Sequence, residues 1–507
     1  MVTYLSLILI VPIVGAVLLV LFEQMRKYLK KMGICTDCLN HIFANVVALT
    51  VFVLAIISIF VANFKDLNTT ADHLLEFGKY GNLEAILISI FSFLVLMAVL
   101  FSVDYMKGKN GLGYYYALIL TLLTGLSAVV MSSNFFTLFI GWELFALSAY
   151  SLVAFDRAKR GAVEASLKYF LMSTVGSMLV LLATALTYGY YGTVSFDVLV
   201  GMDPIGKITG VITGVISALY IVGFGVTAAM LFLNAWLPDA HSNAPSTISA
   251  LLSGIVVKAG AFAIYRTIFW GFSGNGNFLP NTSVFISWLG ILTMIEGNYL
   301  VFSQFKRKDI IDLKRILAYS TTVHLGYVIL GIGAGTAVGL EASVMHIFTH
   351  SLGKGALFLL SGTMIAAVGS RDIRDMKGLG RRSPFIAIVL TTSLLSLAGI
   401  PITGGFVSKL LVILSVYGGN HDQIMNLLLV IFAVINSVLA LGGYLYILKY
   451  IVFDPPEAKA EEKLKIPKFE AIPLTIMMVI VILLGVWPGK VFEYIVDAVQ
   501  GLLPLWA

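Results

Sequence analysis

The chain is dominated by apolar runs, each long enough to cross a hydrocarbon core of about 30 Å as a helix. Because these runs are continuous, they favour membrane helices over the short alternating segments of a β-barrel. Hydrophobic residues make up 59% of the 507 residues and charged residues 12%, which excludes a soluble globular protein. We predict an all-α polytopic membrane protein with about fourteen spans, near residues 3–22, 42–64, 83–103, 114–131, 134–154, 163–189, 210–237, 244–271, 283–304, 310–332, 338–367, 384–414, 424–453 and 470–488.

The net charge of +6 reflects membrane topology and not nucleic-acid binding, because the basic residues concentrate in alternate loops. By the positive-inside rule those loops are cytoplasmic, so both termini are expected on the external side of the cell membrane. Cys35 and Cys38 form one CxxC pair in the first basic loop. A structural zinc or an iron–sulfur cluster usually needs four ligands, so we expect no metal or redox cofactor in this chain unless His41 or a partner contributes ligands.

Two predicted spans contain helix-breaking residues. Span 7 ends in a stretch with Pro238 and Pro245, and span 12 contains the run GIPITGG at residues 399–405. Breaks at corresponding positions are typical of transporters built from inverted repeats. We predict N-terminal helices over 1–110, inverted five-helix repeats over 111–272 and 273–455, and a linker, last helix and tail over 456–507. The alternative is that Gly and Pro are simply common in membrane helices.

Ionisable residues inside apolar spans are costly, so they indicate an ion path. Glu143 is the sole ionisable residue of the run 132–155, and Glu296 and Glu341 also lie at membrane depth. Glu164 and Lys168 are four residues apart and can pair on one helix face. Alternatively, Lys168 reaches towards Glu143 on the neighbouring helix and tunes its proton affinity.

A second polar group lies further along the chain. His346, His350 and Lys354 are spaced four and four, which places them on one helix face, and His324 on the preceding span could bridge to them. Such a stripe can relay protons, and it fits that role better than a metal site because no HExxH motif is present.

Buried lysines can lose their proton, as a carrier must. Lys258 and Lys409 have long apolar flanks on both sides and fit that role. Arg266 is expected instead to extend to the membrane surface.

The motifs GWELF, EASLKYFL, WLPDAHSNAP, VKAGAFAIYR, LAYSTTVHLGYVILG, HIFTHSLGKGALFLLSG and SLAGIPITGGFVSK follow one another over about residues 80–455. In this order they resemble the antiporter-like subunits of respiratory complex I (NADH-quinone oxidoreductase), Mrp-type Na+/H+ antiporters and membrane-bound hydrogenase or sulfane-sulfur reductase complexes. The resemblance implies ion translocation coupled to a redox arm on other subunits. It assigns Glu143, Lys258, His324, His350 and Lys409 to the ion path.

One departure from the family pattern affects the first repeat. The family usually has a lysine nine residues before the tryptophan of WLPDAH, here Trp236, and that position holds Thr227. The Pro and His usually found just before this tryptophan are also absent, and Phe232, Leu233 and Asn234 occupy the stretch.

The leading hypothesis is therefore a proton- or Na+-translocating subunit of a redox-driven complex of the hydrogenase, sulfane reductase or complex I type. Its expected partners are other membrane subunits, H+ or Na+, and the bilayer, with no nucleic acid. The alternatives are a structural spacer with a degenerate first half-channel, an Mrp Na+/H+ antiporter subunit, and a stand-alone transporter.

Overall fold

The computed structural model describes residues 2–61, 81–200, 207–271, 278–455 and 464–500, which are almost entirely helical. Twelve helices in these ranges are long and apolar enough to cross a membrane. Together with two interrupted spans they give the fourteen crossings that the sequence predicts, here called spans 1 to 14. The spans are Val2–Gln24, Thr36–Val61, Asn82–Tyr105, Leu112–Met131, Phe135–Val153, Arg160–Tyr191, Lys207–Thr227 with Leu237–Asn243, Ser246–Ile268, Phe278–Phe305, Leu313–Gly333, Ala337–Val368, Pro384–Ala398 with Gly404–Tyr417, Gln423–Phe453 and Lys468–Val486.

The two predicted breaks are present. In span 7 one helix ends at Thr227 and the next begins at Leu237. Span 12 is interrupted between Ala398 and Gly404. The second break begins at Gly399, whose φ of 82° would be strained for a residue with a side chain. Span 8 contains a short π-helical segment, Leu252–Val256, of the kind that often marks functional positions in helices.

Spans 4 and 5 pack through glycine, as do spans 9 and 10. A Cβ on Gly125 would lie 2.4 Å from the Phe145 nitrogen, and one on Gly290 would lie 2.8 Å from the Gly326 oxygen. These residues let the backbones approach closely, which is the usual way for membrane helices to associate.

A second recurring feature lies at the start of spans 5 and 10. Asn134 caps span 5 and forms an isolated β-bridge with Ser195, just after span 6. Asp312 caps span 10 and bridges Asp372, just after span 11. Spans 5 and 10 run in opposite directions because an even number of crossings, spans 6 to 9, lies between them. This arrangement is what inverted repeats require, and the division at 111–272 and 273–455 stays a prediction.

Four short helices in the described ranges were not predicted from the sequence, and two of them, Phe196–Val200 and Leu379–Arg382, lie in the loops after spans 6 and 11. Arg26–Lys31 follows span 1, and Gly489–Gln500 follows span 14. In the second of these, Ile495, Ala498 and Val499 are buried. Three- and four-residue spacing places these side chains on one face, so the helix is amphipathic and packs against the bundle. The predicted linker at 456–463 lies outside the described residues.

Candidate functional site

The centre of the bundle contains a lysine–histidine contact between spans 8 and 11. The Lys258 Nζ lies 2.7 Å from the His350 Nδ1 and also donates to the Ser253 carbonyl in the π-helical segment. Lys258 and His350 are fully buried. The contact joins the last helix of the first predicted repeat to the second repeat. The motifs that contain Lys258 and His350 did not, taken separately, predict this contact.

The three predicted histidines form one cluster. The His350 ring centroid is 4.6 Å from that of His324, and the His324 Nδ1 lies 3.1 Å from the His346 Nε2. The bridge from span 10 to the stripe on span 11 is therefore present as predicted. Each imidazole has one donor and one acceptor nitrogen when neutral, so this arrangement can pass a proton from ring to ring.

A branch leads from this cluster to Lys354. The His324 Nε2 lies 3.1 Å from the Tyr444 hydroxyl, which lies 2.8 Å from the Ser320 Oγ. Lys354 donates to the Ser320 Oγ and, at 2.9 Å, to the Leu317 carbonyl. The predicted stripe of His346, His350 and Lys354 thus reaches His324 both directly and through hydroxyl groups.

The cluster ends beside the break in span 12. The His346 Nδ1 lies 3.0 Å from the Ser408 Oγ, and Ser408 precedes Lys409. Lys409 donates to the Ala398 carbonyl at 3.2 Å and to the Ser437 Oγ at 3.0 Å. Its Nζ also lies 4.9 Å from the centroid of the Tyr327 ring. The break therefore gives the Lys409 ammonium a freed carbonyl as an acceptor, which an intact helix would not offer.

Sequence reasoning missed several polar residues of this network. Ser320 lies four residues before His324 on the same helix face, so its spacing was a usable signal. Tyr327, three residues after His324, gave the same signal, whereas Tyr444, Ser408 and Ser437 did not, because isolated hydroxyl groups are common in membrane helices.

In the first predicted repeat, here called the first half, Lys168 makes neither of the two contacts predicted for it. Its Nζ donates to the Asp239 Oδ2 at 2.7 Å, and Glu164 is exposed. The predicted pairs with Glu164 and with Glu143 are therefore wrong. The physical reason is that the fold places Asp239, on the helix after the span 7 break, within ion-pair distance of Lys168, and the other oxygen of this carboxylate accepts from Arg315.

Glu143 and Thr227 are not joined to a cation in the described residues. Glu143 is half-buried, and its Oε1 accepts no hydrogen bond from the described part of the chain. Thr227 is buried and is the last helical residue before the span 7 break.

A polar cavity of about 320 Å³ opens beside the Lys168–Asp239 pair, on the side of the basic loops. At its rim, a hydrogen bond from the Arg307 guanidinium holds the pKa of Asp309 well below its usual range. Its charged lining residues are Glu164, Lys168, Asp239, Arg307, Asp309, Asp312, Arg315 and Arg371. Both signs of charge are interspersed, so the cavity is a polar recess of mixed charge and not a simple anion or cation site.

Arg266 does not extend to the membrane surface, and that prediction is wrong. Its side chain is 1% exposed, and it donates to Glu84 and to the carbonyls of Val130 and Ser132 at 2.8 and 2.7 Å. The pair joins span 8 to the start of span 3. The sequence did not indicate that Glu84 is buried, because it lies in the first turn of its span, where charged residues are usually near the membrane surface.

Metal ligation has no support in the ranges that the structure describes. They contain no group of three or more His, Cys, Asp or Glu side chains that could hold an ion. His346 and His350 of the HxxxH pair contact Ser408 and Lys258 instead. Cys35 and Cys38 are exposed thiols.

Comparison with protein-family models decides the family. Residues 132–439 match the transmembrane domain described as "NADH:quinone oxidoreductase/Mrp antiporter, TM". The chain belongs to this family. Among curated relatives, NADH-quinone oxidoreductase subunit N of Acidithiobacillus ferrooxidans is 32% identical over 427 residues, covering 82% of this chain and 84% of that protein. F(420)H(2) dehydrogenase subunit N of Methanosarcina mazei is 29% identical over 425 residues, with 82% and 83% covered.

Solved structures agree with the family assignment. A chain of an archaeal membrane-bound sulfane sulfur reductase matches with a TM-score of 0.86 and 25% identity, over 99% of this chain and 98% of that one. A chain of an Mrp complex from Dietzia shares the fold, with a TM-score of 0.81, 23% identity, and coverage of 99% and 97%. The chain is thus an antiporter-like membrane subunit, and its relatives are subunits of multisubunit complexes.

Proposed function

We propose that this antiporter-like subunit translocates protons through its second half, along a path that includes Lys258, the three histidines and Lys409. The observation that carries the proposal is the chain of contacts from Lys258 through His350, His324 and His346 to Ser408. Its links are hydrogen bonds of 2.7 to 3.1 Å and one ring contact. Small side-chain rotations can therefore pass a proton along it.

The chemistry of the path favours H+ over Na+. Imidazole and amine nitrogens exchange protons, whereas Na+ is bound through oxygen ligands such as carboxylates and carbonyls. The path from Lys258 to Ser408 contains four nitrogen-bearing side chains and no carboxylate. A proton therefore fits it better than a sodium ion.

The chain would work within a larger assembly. Its relatives are subunits of complex I, F(420)H(2) dehydrogenase, sulfane sulfur reductase and Mrp complexes, so we infer neighbouring membrane subunits and a redox arm that drives transport. We also infer that the basic loops, and with them the cavity beside Lys168, face the cytoplasm, with both termini outside.

The second candidate function is a structural spacer with a poorly conducting first half. Thr227 replaces the family's usual lysine, and Lys168 is held by Asp239 and does not reach Glu143. These observations favour loss of the first half-channel, but they leave the contacts of the second half intact. The third candidate function is that of an Mrp-type Na+/H+ antiporter subunit.

Sealed vesicles that contain the native complex test the choice of ion. Redox-driven proton movement is measured with a pH-sensitive dye, with and without Na+, for the natural chain and for His350→Ala. We expect the difference between the two chains to persist without Na+ and to vanish with a protonophore. A difference that requires Na+ would contradict the proposal.

A further inference from the structure

The break in span 7 has an unusual backbone that something must hold. Ala229 and Phe232 have φ angles of 48° and 61°, in the left-handed region that residues with side chains seldom adopt. Such conformations persist only where surrounding contacts fix them, and they are enriched at functional sites. The Trp236 indole holds one end of the break by donating to the Val226 carbonyl at 2.8 Å.

The other end of the break is held from span 9, by Glu296. The Phe232 amide donates to Oε2 of Glu296 at 3.1 Å and to Oε1 at 3.3 Å, and the Asn234 side chain donates to Oε2 at 2.7 Å. One turn earlier on span 9, the Thr293 Oγ1 accepts from the Leu231 amide at 3.1 Å. Span 9 begins the second predicted repeat, so these contacts tie the second half to the broken helix of the first.

These contacts fall on the stretch where the chain departs from the family pattern. Thr227 replaces the expected lysine, and Phe232, Leu233 and Asn234 occupy the stretch in which Pro and His are usual. A proline in that stretch would have no amide hydrogen to donate, whereas each of these three residues has one. A carboxylate on span 9 and two donors on span 7 thus form a contact made of residues outside the family motifs.

Glu296 has an environment in which its charge state can change. It is half-buried, and in the described ranges no lysine, arginine or histidine forms an ion pair with it. Among the titratable groups of the described residues, Tyr319 on span 10 lies within electrostatic range of Glu296, and this phenol is uncharged at neutral pH. Its ionised form is stabilised chiefly by the hydrogen bonds from the span 7 break.

We propose that Glu296 is a positioning residue whose ionised carboxylate holds the span 7 break in its strained form and whose protonation releases it. A carboxylate accepts at both oxygens, whereas a protonated carboxyl group loses part of that capacity and the added strength of a charge-assisted bond. Proton uptake at Glu296 would then change the conformation beside Thr227 without a lysine on span 7. Its consequence for transport rests on the proposed function, whereas the contact itself does not.

Hydrogen–deuterium exchange of the intact complex tests the contact directly. We measure amide exchange in residues 228–236 against pH, corrected for intrinsic rates, in the natural chain, Glu296→Ala and Glu296→Gln. Loss of a hydrogen bond to a charged group corresponds to exchange about tenfold faster, which we expect for Glu296→Ala at neutral pH. In the natural chain, protection should fall as the pH is lowered. Glu296→Gln should show at every pH the faster exchange that the natural chain reaches at low pH, because glutamine, like the protonated carboxyl group, has one acceptor oxygen and no charge, and it does not titrate.

The break in span 12 provides the internal control. Residues 399–403 are interrupted in the same way but do not contact Glu296, so their exchange should be unchanged in both variants. Equal protection of 228–236 in Glu296→Ala and the natural chain would overturn the proposal. Should Glu296→Ala fail to assemble, a pH dependence that persists in Glu296→Gln would overturn it as well. Neither readout depends on ion pumping, so failure here is separate from failure of the proposed function.

Discussion

At the scale of single residues, we propose that Glu143 and Thr227 decide whether the first half can conduct. A lysine near Glu143 would stabilise its charged form and repel an arriving cation, and threonine offers a hydroxyl group without charge. We expect Thr227→Lys to preserve assembly and to shift the pH profile of pumping by the complex, whereas Thr227→Ser should behave as the natural chain. If Thr227→Lys leaves both the pH profile and the ion-to-electron ratio unchanged, Thr227 is not the site at which the first half lost its switch.

Individual residues also differ in how well the sequence could predict their place in the candidate site. The stripe of His346, His350 and Lys354 was predictable because residues four apart share a helix face. The pairs Lys258–His350 and Lys168–Asp239 were not, because each joins residues far apart in the sequence and depends on how the helices pack. Local spacing instead suggested a pair between Glu164 and Lys168, which the tertiary contact to Asp239 replaces.

At the scale of helices, the Arg266–Glu84 pair links span 8 to span 3 and holds the carboxyl end of span 4. Removing one partner leaves a buried charge uncompensated, at a cost of about 3–5 kcal/mol. Arg266→Gln and Glu84→Gln should each lower the melting temperature of the complex or its yield, and combining Arg266→Met with Glu84→Leu should restore part of the loss.

The exposed pair of Arg307 and Asp309 serves as the control, because surface pairs contribute about 0–1 kcal/mol. Arg307→Gln should therefore leave the melting temperature nearly unchanged. If Arg266→Gln is as stable as Arg307→Gln, the buried pair does not stabilise the packing of span 8.

The number of spans and both breaks were predictable at this scale, because apolar length and the placement of Gly and Pro set them. The exact course of the span 7 break was not predictable. It depends on Thr293 and Glu296, which lie on another helix. In addition, no local pattern in residues 228–236 predicts the left-handed φ angles of Ala229 and Phe232.

At the scale of the whole molecule, a buried chain of polar contacts runs from Lys258 to Ser408, while a carboxylate on span 9 accepts hydrogen bonds from the break in span 7. The two halves are therefore connected at several places, among them Lys258–His350 in the core, Asp239–Arg315 beside the cavity and Glu296–Phe232 at the break. Such connections allow a conformational change in one half to alter the other, as expected of a subunit driven from a distance by a redox arm.

The central claim is that protons cross the second half through the histidine cluster. The most direct test is the ratio of protons moved to electrons transferred by the complex in sealed vesicles, measured for His324→Ala, His350→Ala and the control His421→Ala. His421 contacts Ser287 outside the path. The account predicts that both cluster variants lower the ratio while electron transfer and assembly persist, and that His421→Ala leaves it unchanged. A normal ratio in both cluster variants would contradict the account.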